Sequence, residues 1–415
     1  MEHGPRRRWG GIGSFLSLER NVLVISGTGL LTNLGAQAFQ PFIPLYLTSL
    51  NATVPQIGMI YVGIAIAGNL SIFGGILADR IGRKTTIVLG GLIGFGLFLG
   101  LLGVSAWILA SLVLFVGYFF ATLVQPAVTS TIAESVETKD RSNAFGSFWV
   151  LAYLGLTLGS LVGGFLPNPG KFELNILVIG IAGIGAALTR LLFLRETLPA
   201  EARSDRTDHR LFFGHLSRNI WLVMGALLLF NFSSGLGLAI YPLFSTQLLR
   251  LSQGEFAVMI GLGSFASMLG AFGAGKVSKR LGVKRMMIFA ILLSGFFLIP
   301  WIYASNSLLA VGFYAVSGFF VQFFLVGNLA LMANITNAKE RSSVIGLITT
   351  IAGLSTIAAP YIGSELWVIM NPRMPFLISV LLSALVVVPL AIVSEAPGEP
   401  KPKPAPKSTP AQVTF

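Results

Sequence analysis

Gly75-Ile-Leu-Ala-Asp79-Arg80-Ile-Gly82-Arg83-Lys84 sets an acid and three bases in one short turn. Apolar runs of about twenty residues, enough to cross a bilayer, flank it. Farther along, Gly275-Lys-Val-Ser-Lys279-Arg280-Leu-Gly282-Val-Lys284-Arg285 repeats its glycines and basic residues. The same offset relates Lys139-Asp140-Arg141-Ser142 to Lys339-Glu340-Arg341-Ser342, and Gly146 to Gly346. Two matches at one spacing identify an internal duplication.

Hydrophobic residues make up 54% of the 415 and charged residues 11%, with a mean hydropathy of +0.81. A soluble domain carries about 25% charge, so this chain takes lipid as its solvent. Apolar segments long enough to span a bilayer are transmembrane helix candidates, and twelve can be read. The expected class is an all-α integral membrane protein of two pseudo-symmetric six-helix bundles. The divisions are an N-terminal segment (1–21), a first bundle (22–194), a polar linker (195–218), a second bundle (219–394) and a Pro- and Lys-rich tail (395–415). The tail's composition cannot bury enough apolar surface to order itself.

The net charge of +12 does not indicate nucleic-acid binding. Of the 28 Lys and Arg residues, only Lys171, Arg250 and Arg373 fall in the odd-numbered connections. Arg190 is read at the inner end of helix six, and the rest lie in even-numbered connections and tails. That bias is the positive-inside pattern, which places both termini in the cytoplasm of a plasma-membrane protein. Zero cysteines exclude disulfide and thiol chemistry. The Arg6-Arg7-Arg8 start lacks a cleavable signal pattern, so helix one is expected to act as its own insertion signal.

Small residues recur at i+4 steps: Gly63, Ala67, Ser71 and Gly75 on helix two, and Gly263, Ser267, Ala271 and Gly275 on helix eight. Helix five carries Gly155, Gly159 and Gly163; helix eleven carries Ser355, Ala359 and Gly363. Such ridges let helices approach closely in lipid, and their pairing suggests surfaces along which two halves slide. Asn33 and Pro44-Leu45 on helix one correspond to Asn231 and Pro242-Leu243 on helix seven. Parallel repeats of this kind bring matching residues face to face across a central cavity.

The Gly-x-x-x-Asp-Arg-x-Gly-Arg-Lys loop and the double six-helix repeat resemble the major facilitator superfamily of secondary transporters. Pro-Phe-Ile-Pro-Leu-Tyr-Leu at 41–47 is similar to its drug-exporter-like branch. The resemblance implies that Gly75, Asp79, Arg80, Gly82, Arg83 and Lys84 form a conformational latch. Asp79 would sit at the N-terminus of helix eleven, where Ser342 and Ser343 offer unpaired donors and the dipole favours an anion. Arg83 would pair with Glu134. In the second copy Lys279 replaces the acid and Asn334 replaces Glu134, so one working latch and one vestige are expected. The branch's Gly-Pro pair in helix five and Arg in helix four are missing.

No acid or base is read at the middle of any helix, so proton coupling through a buried carboxylate is disfavoured. The expected substrate site is neutral and aromatic. Asn33, Gln37 and Gln40 share one face of helix one, and Tyr118, Thr122 and Gln125 share one face of helix four. Asn231, Ser234 and Tyr241 on helix seven and Gln322 on helix ten complete it. The 32 Phe residues favour export of amphiphilic, drug-like compounds by alternating access. The amides favour uptake or facilitated diffusion of a neutral solute such as a sugar, and a solute sensor without transport is a further alternative. No catalytic constellation, metal site or cofactor is indicated. The partners are a small-molecule substrate and the bilayer, and the expected state is a monomer.

Overall fold

The computed structural model describes residues 19–137, 140–167, 172–198, 217–336 and 341–394. These form twelve long helices. The first half comprises α1 (Arg20–Ser49), α2 (Val54–Ile81), α3 (Arg83–Gly103), α4 (Trp107–Glu134), α5 (Arg141–Phe165) and α6 (Glu173–Phe193). The second comprises α7 (Arg218–Leu238), α8 (Gln253–Leu281), α9 (Val283–Ile302), α10 (Ser307–Ile335), α11 (Arg341–Ile369) and α12 (Met374–Ile392). Eleven are long and apolar enough to cross a membrane. The twelfth, α11, is 29 residues long and carries no charged residue between Arg341 and Glu365.

Local chemistry repeats with the topology. Capping boxes open α2 (Thr53 with Gln56) and α8 (Ser252 with Glu255), satisfying the first free backbone donors. Both helices end on a glycine with positive φ, Gly82 at 102° and Gly282 at 81°. That conformation is open to glycine without steric cost and turns the chain at once into the next helix. Prolines cannot donate to the helical ladder. Near Pro41 and Pro44, α1 tightens into a 3-10 turn at Gln40–Phe42. Past Pro242, the extension of α7 loosens into a π turn at Phe244–Leu248.

In each half the first helix packs on the fifth and the second on the fourth: α1 on α5, α2 on α4, α7 on α11, α8 on α10. The halves meet through α2 on α11 and α5 on α8. This corrects the expected role of the small-residue ridges. Gly155, Gly159 and Gly163 abut the α1 backbone at Leu30, Leu34 and Ala38, and Gly363 abuts Leu236 of α7. Gly263 and Gly270 face Tyr314 and Phe319 of α10. These ridges bind helices inside one half, because van der Waals fit drives association where lipid is as apolar as the side chains. Close contact between halves falls elsewhere: Gly58 against Ser364, Gly164 against Ala257, and Gly261 against Ser160.

The two ends of the bundle differ. At the end opposite the start of α1 and the close of α12, here the far end, one apolar core runs through both halves, joining Phe42, Tyr46 and Phe98 to Phe244, Phe256 and Trp301. At the other end, here the basic end, the halves have separate cores, one around Ile25, Ile87 and Ile132 and one around Met287, Phe324 and Leu390. The described hydrogen bonds there stay within one half, such as Arg20 to Phe193, Asn21 to Ser135 and Asn219 to Ser394.

Candidate functional site

Two cavities lie between these ends. The larger, about 470 Å³, is walled by α7, α8, α9, α10 and α12, and Gln37 of α1 and Tyr153 of α5 reach in from the first half. Ser234, Tyr241 and Gln322 line it as well. The smaller, about 230 Å³, lies within the first half and is lined by Asn33, Gln40, Tyr118 and Gln125 together with Phe95, Phe98 and Phe148. Eight of the ten residues picked from sequence therefore line one cavity or the other. Asn231 instead donates to the Ala352 carbonyl at 3.0 Å, tying α7 to α11. Thr122 lines neither cavity.

Sequence reasoning missed the one charged side chain in these walls. Arg190 of α6 lines the smaller cavity and is only 4% exposed. Its Nε donates to Thr28 Oγ1 at 2.8 Å and its Nη2 to Thr32 Oγ1 at 3.2 Å. Each threonine spends its own proton on an α1 carbonyl, Thr28 on Val24 at 2.6 Å and Thr32 on Thr28 at 2.5 Å. Their lone pairs are thereby left for the guanidinium. Among the described residues no carboxylate pairs with Arg190, the ion pairs being Arg83 with Asp79 and with Glu134.

Those pairs sit at the basic end. Arg83 Nη1 donates to Asp79 Oδ1 at 2.5 Å, across the Gly82 turn, and Nη2 donates to Glu134 Oε1 at 3.3 Å. Thr197 Oγ1 donates to Glu134 Oε2 at 2.5 Å. The Glu196 carboxylate accepts the backbone N–H groups of Arg83 at 2.9 Å and Lys84 at 3.2 Å, capping the start of α3 where the dipole favours an anion. Arg80 is exposed, and Gly75 lies beside Pro126 of α4. The side chains of Ser342 and Ser343 lie outside the described residues, so the position of Asp79 relative to them is not described. In the second copy Lys284 caps the end of α12, donating to Ala391 and Val393 carbonyls at 2.6 and 2.7 Å.

A family model described as Major Facilitator Superfamily matches residues 25–273 and 222–414, nearly the whole chain. The chain belongs to the major facilitator superfamily. Among its relatives in that superfamily, Multidrug resistance protein 2 of Bacillus subtilis is 28% identical over 83% of this chain and 88% of its own length. Quinolone resistance protein NorA of Staphylococcus aureus is 24% identical over 84% of this chain and 90% of its own. The crystal structure of the nucleoside transporter NupG superposes with a TM-score of 0.72 at 15% identity, over 90% of this chain and 98% of that one, a likeness of fold.

Within the superfamily fold, the sequence held little sign of two residues of the candidate site. Glu196 follows α6 directly, as an acid beside a base, and nothing in its spacing points to the amides of α3. Arg190 lies near the end of an apolar run, where a cation ordinarily marks the membrane boundary. Only the rotation of α6 about its axis turns it into the cavity.

Proposed function

We propose that this superfamily member exports amphiphilic, drug-like compounds across the plasma membrane by alternating access, with its basic end and both termini in the cytoplasm. The observation that carries the reading is the asymmetry of the ends: a single core shared by both halves at the far end, separate cores at the basic end. That is the form of a transporter open to the cytoplasm and sealed outside. The cavity walls favour amphiphiles, combining Phe95, Phe98, Phe148 and Trp301 with scattered amide and hydroxyl groups. The multidrug and quinolone resistance relatives support the same direction. The Asp79, Arg83 and Glu134 cluster is assigned as the cytoplasmic latch, with Asp79 meeting the start of α11 when that side closes.

Loss of fluorescent amphiphiles of differing charge from preloaded cells tests the reading. Efflux should exceed that of vector-only cells. Indistinguishable efflux for every compound, at verified expression, would overturn it. Uptake of a neutral solute is the second reading, favoured by the amides Asn33, Gln40 and Gln125 on one cavity wall. Inward counterflow of a labelled sugar in proteoliposomes would support it instead.

A further inference from the structure

We infer that the smaller cavity is an anion subsite, with Arg190 receiving the carboxylate of an otherwise apolar substrate. The inference rests on the reading of the cavities as the substrate route and narrows the substrate to organic monoanions.

The argument begins with the cost of the charge. A cation taken out of water and not paired is expensive, and buried charges in proteins are paired or coordinate an ion. In a membrane span a charged group faces a partner or a cavity and marks the substrate path. Arg190 is buried, faces a cavity, and has only two neutral hydroxyl oxygens as described partners. Those oxygens orient the guanidinium through Nε and Nη2 without neutralising it, and Nη1 makes none of the described hydrogen bonds. A planar guanidinium suits a carboxylate, which it can hold through two parallel bonds.

The surroundings fit the remainder of such a ligand. Phe95, Phe98 and Phe148 offer apolar and aromatic faces, and Asn33 and Gln125 offer neutral amides. No acid lines either cavity, so nothing nearby competes for Arg190 or favours a cation. At about 230 Å³ the cavity suits a compact group, one or two rings with a single acid.

Equilibrium dialysis against three ligands on one scaffold tests the inference: 2-naphthoate, 2-naphthamide and (2-naphthylmethyl)trimethylammonium. Wild-type protein should bind the naphthoate about tenfold or more tightly than the amide, as expected for hydrogen bonds to a charged group. Arg190→Gln should bring the naphthoate to the level of the amide, and Arg190→Lys should retain part of the preference. Thr32→Asp places a carboxylate at the position that Nη2 already contacts. It should erase the preference even if Arg190→Gln fails to fold. Equal binding of naphthoate and amide by wild type, or a preference surviving in folded Arg190→Gln or Thr32→Asp, overturns the inference. Binding of the amide and the ammonium compound without the naphthoate overturns it and leaves the broader reading standing. Binding of none of the three counts against both.

Discussion

Phe42 of α1 and Phe256 of α8 meet edge to face with ring centroids 5.5 Å apart and planes at 81°, one ring from each half of the molecule. Phe42 also stacks on Phe172 at 6.0 Å, while Phe244, Trp301 and Phe376 cluster behind Phe256 at 4.6–5.2 Å from one another. Phe42–Phe256 is thus a ring contact that crosses the halves within the shared apolar core, and among the described residues no ion pair joins the halves at this end.

Phe256→Ala should loosen that closure. An aromatic pair contributes about 0.5–1.5 kcal/mol beyond its buried area, enough to shift a near-balanced pair of states severalfold. The chain has no cysteine, so a single Ile43→Cys, fully buried in the far-end core, serves as the reporter. A membrane-impermeant maleimide applied outside should label it faster in the Phe256→Ala background. An unchanged rate would mean that the ring pair does not hold the seal.

Two glycines in similar surroundings should give opposite phenotypes. Gly159 abuts the Leu34 backbone within the first half, and Gly58 abuts Ser364 across the halves. Gly159→Leu should lower expression and melting temperature, since overpacking costs about 1–3 kcal/mol. Gly58→Leu should leave each half folded while wedging the far end apart, which raises Ile43→Cys labelling. The assignment of these contacts fails if the two variants cannot be told apart by melting and labelling together.

Glu196→Ala removes the acceptor that caps α3, a loss of about 0.5–2 kcal/mol. Glu196→Gln keeps a carbonyl oxygen and should lose less. Thermal unfolding of the purified variants checks the order, and equal melting of wild type and Glu196→Ala would contradict it.

In the proposed latch, Asp79→Asn should slow transport strongly while leaving insertion intact, and Lys279→Asn should do much less. Helix-dipole interactions of about 0.3–1 kcal/mol when exposed, and up to about 2 when partly buried, set the scale. Transport at matched expression measures it. Equal loss in the two variants would remove the asymmetry between the repeats.

With Arg190 the one charged side chain in the cavity walls, flux should follow the substrate gradient and depend weakly on an imposed pH gradient. Net flux in proteoliposomes with and without that gradient decides this. Proton-driven accumulation, abolished by a single Asp79, Glu134 or Glu365 substitution, would place the coupling chemistry at a helix end.

The sequence carried the helices, the duplication and most of the cavity lining, because these follow from hydropathy and from period. Asn33, Gln40, Tyr118 and Gln125 lay on predicted faces, and those faces do meet. Neighbours were less legible. The spacing of Gly155, Gly159 and Gly163 announces a close helix but not which one, and the partner is α1 of the same half. Arg190 was hidden for a related reason: distance from a helix end gives depth, while the direction a side chain faces depends on axial rotation.

α2 is one span by length and two rods by packing. The rod Val54–Asn69 lies between α11 of the other half and α4 of its own, whereas Ile72–Ile81 lies on α3 and α4 of its own half. At the joint, backbone bonds shorten to i−3 from Leu70 to Gly74, and Asn69 Nδ2 donates both to Ala65 at 2.8 Å and to Gly353 of α11 at 3.3 Å. A joint thus sits inside a helix, roughly 24 Å from its far-end start at 1.5 Å per residue. Because both halves grip Val54–Asn69, parting of the far end must strip one of those contacts, while Ile72–Ile81 keeps its hold on α3 and α4 of its own half.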